Sequence, residues 1–160
     1  QDLIVADDWA GVAIEDLMAA LLSQHASRGS SRIKVKGPKV VLSPEASQNL
    51  GRAIHELASN AAQFGALSAA RGTVSISWEL APGAQGDLLD LVWEERGGPA
   101  VGQPTKRGFG MMVIERNLTR ALAATVSLEF CSDGLQAHIS MPLSSLTSQS
   151  KDEEIIAEAS

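Results

Sequence analysis

The segment from Ser43 to Gly65 constrains this chain more than any other. It opens Ser43-Pro44-Glu45: a hydroxyl able to cap, a proline at the first helical position, and an acid where the helix dipole favours negative charge. The reading is one long helix that runs to about Gln63 or Phe64 and stops at Gly65. Its polar members Glu56, Asn60 and Gln63 recur at i, i+4 and i+7, so they share one helical face. Taken alone, such a face is ordinary solvated surface.

Strand and helix patterns flank this helix. Trp9 to Ala26 carries Val12, Leu17, Ala20, Leu21 and Leu22 at roughly helical spacing, with Asp7 or Asp8 as the cap. Arg32 to Lys36 alternates polar and apolar, and Gly37-Pro38 turns into a short strand Val40-Val41-Leu42. Thr73 to Leu80 and Leu88 to Glu94 read as strands joined through a turn-rich segment. Gly97 to Arg107 holds too many Gly and Pro residues for a regular element and reads as a lid or binding loop. Helical periodicity returns from Phe109 to Ala123, and Thr125 to Phe130 with Leu135 to Met141 form a closing hairpin. The order predicts an α+β fold, a two-layer sandwich with helices packed on one face of a mixed sheet.

At 160 residues, 44% of them hydrophobic, the chain can bury one proper core but not two comfortable ones. The division expected is the end of an upstream linker over 1–8, one domain over 9–143, and a flexible acidic tail over 144–160, where Ser, Thr, Gln and acids take over. A net charge of −6 argues against nucleic acid and anionic membrane as partners. No apolar stretch approaches the ~20 residues that span a bilayer, so the reading is a soluble domain without membrane contact. The one cysteine, Cys131, excludes an internal disulfide and reads as a buried small hydrophobe, in keeping with a reducing cytoplasm.

Three segments could carry chemistry together. The polar face of the long helix, with Glu56, Asn60 and Gln63, could serve as a metal-binding face. In Trp93-Glu94-Glu95-Arg96-Gly97-Gly98-Pro99 a strand ends in an acid followed by glycines; a carboxylate there can accept from the exocyclic amine of a base, and glycines let the base come close. Lys106-Arg107-Gly108-Phe109-Gly110 precedes a helix expected to start near Met111, where free backbone N–H groups and two cations suit phosphate. Each alone is unremarkable. In this order they supply a metal face, a base reader and a phosphate cradle for one ligand.

These motifs resemble those of the HWE-type sensor histidine kinases. HELASNAAQFGALS is similar to their N box, WEERGGPAV to their Trp-x-Glu-x-Gly-Gly-Pro box, and RGFGMMVI to their second glycine box, with GPKVVLSPEA in support. The naming His, Trp and Glu correspond to His55, Trp93 and Glu95, and the similarity covers about residues 9 to 143. The resemblance implies the Bergerat-type ATPase fold, with ATP between the long helix and the lid.

By the same resemblance, Asn60 would hold Mg²⁺ through its side-chain carbonyl, and Glu56 would bind the metal or orient a metal-bound water; these two carry the catalytic assignment. Glu95 would read adenine, with Gly97 and Gly98 beside it. Gly108, Phe109 and Gly110 would approach the phosphates, with Lys106 or Arg107 as charge partner. Gln63-Phe64 stand where the family usually has Lys-Tyr, so a cationic phosphate contact is replaced by a neutral one. His55 lies in the ATP-site helix, and is expected to be partly buried and bonded to a neighbour rather than to be the phosphoacceptor.

The implied function is transfer of the γ-phosphoryl group of Mg-ATP to a histidine on an upstream dimerisation domain, then to a response regulator receiver domain, in a homodimeric, cytoplasmic protein. The alternatives are a regulatory nucleotide-binding module without transfer activity, which Gln63 brings to mind, and a hydrolytic ATPase.

Overall fold

The computed structural model describes residues 11–25, 31–99 and 104–147, with side chains described throughout except at 104–109. The elements run β1 (Val12–Ala13), α1 (Ile14–Leu22), β2 (Ile33–Lys36), β3 (Val41–Leu42), α2 (Pro44–Gln63), a 3-10 turn (Ala66–Ser68), β4 (Thr73–Ala81), β5 (Leu88–Arg96), α3 (Pro104–Leu122), β6 (Thr125–Cys131), β7 (Gly134–Pro142) and α4 (Leu143–Leu146). A five-stranded sheet has the order β2-β4-β5-β7-β6, and β1 pairs with β3 in a separate two-stranded ribbon. β2 runs parallel to β4, and the other pairs in the large sheet are antiparallel.

Alternation along the strands divides the sheet into two faces. Val74, Ile76 and Trp78 of β4, Leu89, Leu91 and Trp93 of β5, and Leu135, Ala137, Ile139 and Met141 of β7 are buried, while Thr73, Ser75 and Ser77 are exposed. Ile14, Met18 and Leu22 of α1, Leu50, Ile54, Leu57 and Ala61 of α2, and Met111, Ile114, Leu118 and Leu122 of α3 join the same core at helical spacing. This is the α+β sandwich expected, with the long helix spanning the core.

Several boundaries differ from expectation, each for a local reason. The first helix begins at Ile14 and not near Trp9, because Gly11 sits at φ +81 and Val12–Ala13 pair with β3. A Cβ at Gly11 would lie 2.0 Å from the Leu42 carbonyl oxygen, so the β1–β3 approach demands glycine. The capping candidates Asp7 and Asp8 lie outside the described residues. Both Trp78 and Trp93 are interior to their strands and buried; Trp78 Nε1 donates to the Pro38 carbonyl at 2.8 Å.

The breaker-rich stretch expected to be loop through Arg107 is already helical from Pro104. Proline is well suited to a first helical turn, and the packing of Met111, Ile114 and Leu118 on the core outweighs the helix penalty of Gly108 and Gly110. At the other end, the expected tail begins too early: Leu143–Leu146 is a helical turn with Leu146 fully buried, and the Ser43 N–H donates to the Leu146 carbonyl at 2.8 Å. Cys131 is half-buried rather than buried, and desolvation, followed by the charges of Glu129, Asp133 and Glu94, raises its thiol pKa above the ordinary value.

Candidate functional site between two helices and the end of a strand

The N-terminus of α2 is held as the sequence predicts. Ser43 Oγ accepts from the Ala46 N–H at 3.1 Å, Pro44 is the first helical residue, and Glu45 lies in the first turn. With Leu50, Ile54, Leu57 and Ala61 turned into the core, the stripe Asn49, Arg52, Ala53 and Glu56 faces α3. There the two helices enclose a cavity of about 460 Å³, lined from α3 by Gly110, Val113, Ile114, Asn117, Leu118, Arg120 and Ala121. Its wall is apolar along Ala53, Ile114 and Leu118 and carries a carboxylate, two carboxamides and two guanidiniums. That combination suits a polar ligand held in a partly dry cleft.

Asn60 stands one turn beyond Glu56, beside Gly110 of the cavity lining. Its Nδ2 is buried without a hydrogen-bond partner, and a Cβ added to Gly110 would lie 3.6 Å from it. A buried amide left unsatisfied costs about 1–3 kcal/mol, so this group is poised for a ligand. The structure thus brings together Glu56, Asn60 and Gly110, predicted from two separate motifs. Gln63 and Phe64 end the same helix, both exposed, with the Phe64 N–H donating to the Asn60 carbonyl at 2.8 Å.

The phosphate cradle needs correction. Gly108 and Gly110 lie inside α3 rather than before it, so their N–H groups belong to the helical hydrogen-bond ladder and are not free. What the structure supports at Gly110 is close approach to Asn60. Lys106, Arg107 and Phe109 fall in the first two turns of the helix, and their side chains lie outside the described ones.

Glu95 is built in more deeply than an exposed base reader. It is 1% exposed; Oε1 accepts from the Ala66 N–H at 3.1 Å and Oε2 from Trp93 Nε1 at 2.9 Å. Residues two apart on a strand share a face, which explains the Trp-x-Glu spacing: the indole donates to the carboxylate. Arg32 holds the other side of the same turn, donating to the carbonyls of Gly72 at 3.1 Å, Ala66 and Leu67 at 3.4 Å, and Ala69. The glycines that follow also meet protein backbone. Gly97 adopts φ +74 and donates to Asp133 Oδ2 at 3.0 Å, Gly98 donates to the Asp133 carbonyl at 2.8 Å, and a Cβ at Gly98 would lie 2.9 Å from the Ala66 backbone.

His55, expected partly buried, is exposed on α2 beside Glu56. Among the described residues no three His, Cys, Asp or Glu side chains gather to hold a metal. The Glu56 carboxylate and the Asn60 side-chain carbonyl are oxygen donors of the kind a hard cation takes, with its remaining ligands from water and phosphate, which is how Mg²⁺ is ordinarily held, while the unpartnered Asn60 Nδ2 is a donor suited to a phosphate oxygen. Sequence reasoning missed Arg32, Asn49, Arg52, Asn117 and Arg120. Asn49 and Arg52 were within reach of it, since they extend the Glu56–Asn60 stripe at helical spacing.

No family model matches the chain. It is 35% identical over 142 residues to a blue-light-activated histidine kinase of Brucella anthropi, covering 89% of this chain and 29% of that protein. To blue-light-activated histidine kinase 1 of Erythrobacter litoralis it is 39% identical over 139 residues, covering 85% of this chain and 37% of that protein. The chain therefore spans about a third of the length of these relatives. In structure it resembles the histidine kinase domain of the Erythrobacter litoralis EL346 blue-light-activated histidine kinase, with a TM-score of 0.59 and 20% identity over 81% of this chain and 59% of that one. The catalytic domain of histidine kinase ThkA gives a TM-score of 0.58 at 11% identity, over 81% of this chain and 93% of that domain. Identity above a third across almost the whole chain makes it a relative of part of these histidine kinases, and its sheet order and helix pair give it the fold of a histidine kinase catalytic domain.

Proposed function

We propose that this domain binds Mg-ATP between α2 and α3 and donates the γ-phosphoryl group to a histidine on a dimerisation domain outside the chain. The observation that carries this reading is Asn60 Nδ2, buried without an acceptor and facing Gly110 of the α2–α3 cavity, a donor that a phosphate oxygen would satisfy. Asn60 would hold the metal through its carbonyl, and Glu56 would bind it or orient one of its waters. Bound there, Mg²⁺ supplies charge neutralisation on the phosphate oxygens. The apolar wall formed by Ala53, Ile114 and Leu118 would keep water from that side of a bound nucleotide, which strengthens the charged contacts there.

Gly108, Phe109 and Gly110, with Lys106 or Arg107, would line the phosphates, and Gln63 and Phe64 the edge of the nucleotide. The adenine end is assigned to the Glu95, Gly97 and Gly98 corner, where the Ala66 turn forms the floor. The Trp93–Glu95 hydrogen bond supports the HWE type, since it gives the motif a physical reason. The full-length protein would be a homodimeric cytoplasmic kinase passing its phosphoryl group to a response regulator. Among the described residues no helix is long and apolar enough to cross a membrane.

Calorimetric titration of the chain with ATP, with and without Mg²⁺, tests the reading. The expected result is Mg²⁺-dependent binding that Asn60→Ala weakens by about tenfold or more, the loss of one charge-assisted contact. Absence of ATP binding by the native chain would sink it. Binding without histidine labelling in a chain joined to its dimerisation domain would point instead to a regulatory module.

A further inference from the structure

The α2–α3 cavity extends past the groups that the nucleotide reading uses. The Glu95 corner adjoins Ala66 in the turn just past the C-terminal end of α2, Asn60 meets Gly110, and Glu56, Arg52 and Asn49 follow in turn toward the N-terminus. Helical side chains lean toward the N-terminus of their helix. Asn60 therefore projects over the turn of Glu56, and Glu56 over the turn of Arg52. A nucleotide with its base at the Glu95 corner and its phosphates at Asn60 carries its terminal phosphoryl group onward, into the part of the cavity that Arg52 lines.

We infer that Arg52 contacts the terminal phosphoryl group, and so supplies the cation that discriminates a nucleoside triphosphate from a diphosphate. This rests on the reading of the cavity as the nucleotide site. Three observations favour it. Arg52 lines the cavity, is exposed, and has no ion-pair or hydrogen-bond partner among the described residues. It sits one turn from Glu56, about 6 Å along the axis at 1.5 Å per residue, where a terminal phosphate beside that carboxylate needs an offsetting charge. The helix end at Gln63 offers a neutral amide rather than a cation. A guanidinium suits the task because its planar donors match phosphate oxygens two at a time.

The test compares ATP and ADP affinities, both with Mg²⁺, on the full chain and on Arg52→Gln, Arg52→Lys and Arg116→Gln. Arg116 is an exposed α3 residue that does not line the cavity, so its variant reports the general effect of losing one positive charge. The expected result for Arg52→Gln is an ATP affinity about tenfold lower, with ADP within about twofold of native. Arg52→Lys keeps part of the preference, and Arg116→Gln changes neither ligand. A merely structural role for Arg52 would move both ligands together, so equal weakening of ATP and ADP, or no change in either, overturns the assignment while leaving the nucleotide site in place. Failure of the native chain to bind either nucleotide removes the site itself, and with it this inference.

Discussion

At the scale of single residues, the most constrained group in the molecule is the Glu95 carboxylate. It is buried, and two of its contacts come from very different places: a backbone N–H on the 3-10 turn and the indole two residues earlier. Trp93→Phe keeps most of the apolar volume but removes one donor from a buried charge, which costs about 1–3 kcal/mol. Glu95→Gln places an amide where both neighbours donate, and its cost falls in the same range. Because the two side chains touch, the double variant should lose less than the sum, with a coupling of about 0.5–3 kcal/mol in urea unfolding; strict additivity would mean that the hydrogen bond contributes nothing. Trp-x-Glu was visible in the sequence as a motif. Its physical reason was not, because the partner N–H belongs to Ala66, far away along the chain. Arg32 was invisible for the same reason: a lone arginine has no pattern until its carbonyl acceptors are assembled in space.

At the scale of elements, the strands of the five-stranded sheet were legible almost to the residue, because alternation survives wherever one face is buried, whereas β1 was hidden in a helical pattern. Helix ends were not. Gly and Pro were counted as breakers before α3, yet Pro104 initiates it and two glycines are carried within it. The opposite end of α3 shows a different compromise. Ala123 adopts φ 54, in the left-handed region that closes many helices, and the Ala124 N–H reaches back to the Leu118 carbonyl at 3.3 Å. Ala123→Gly relieves that strain by about 1 kcal/mol. Gly51, inside α2, is the converse case: an added Cβ would meet Leu17 and Leu21 at 3.5 and 3.7 Å, ordinary contact distances, so Gly51→Ala should gain about 0.5–1 kcal/mol. Midpoints of thermal or urea unfolding check both, and a loss at either position would show that the local backbone argument fails.

At the scale of the whole molecule, the layered architecture was readable from the sequence, and so was the neighbourhood of some candidate site residues. Glu56, Asn60 and Gly110 converge as the motifs implied, whereas the cavity beside them arises only when α2 and α3 pack together. The end of the packed region was misread because Ser and Thr around Leu143–Leu146 look like linker, while a single buried leucine secures the turn. Leu146→Ala should cost about 2–5 kcal/mol, as for other fully buried leucines, and a loss under 1 kcal/mol would return the turn to the tail. That turn has a kinetic signature as well. Its carbonyl receives the N–H of Ser43, the residue that caps the helix bearing Glu56 and Asn60. Opening of the last turn therefore releases the start of α2. In hydrogen exchange the amide of Ser43 reports on Leu146, so loosening at one end of the domain is read at the root of the helix that carries Glu56 and Asn60.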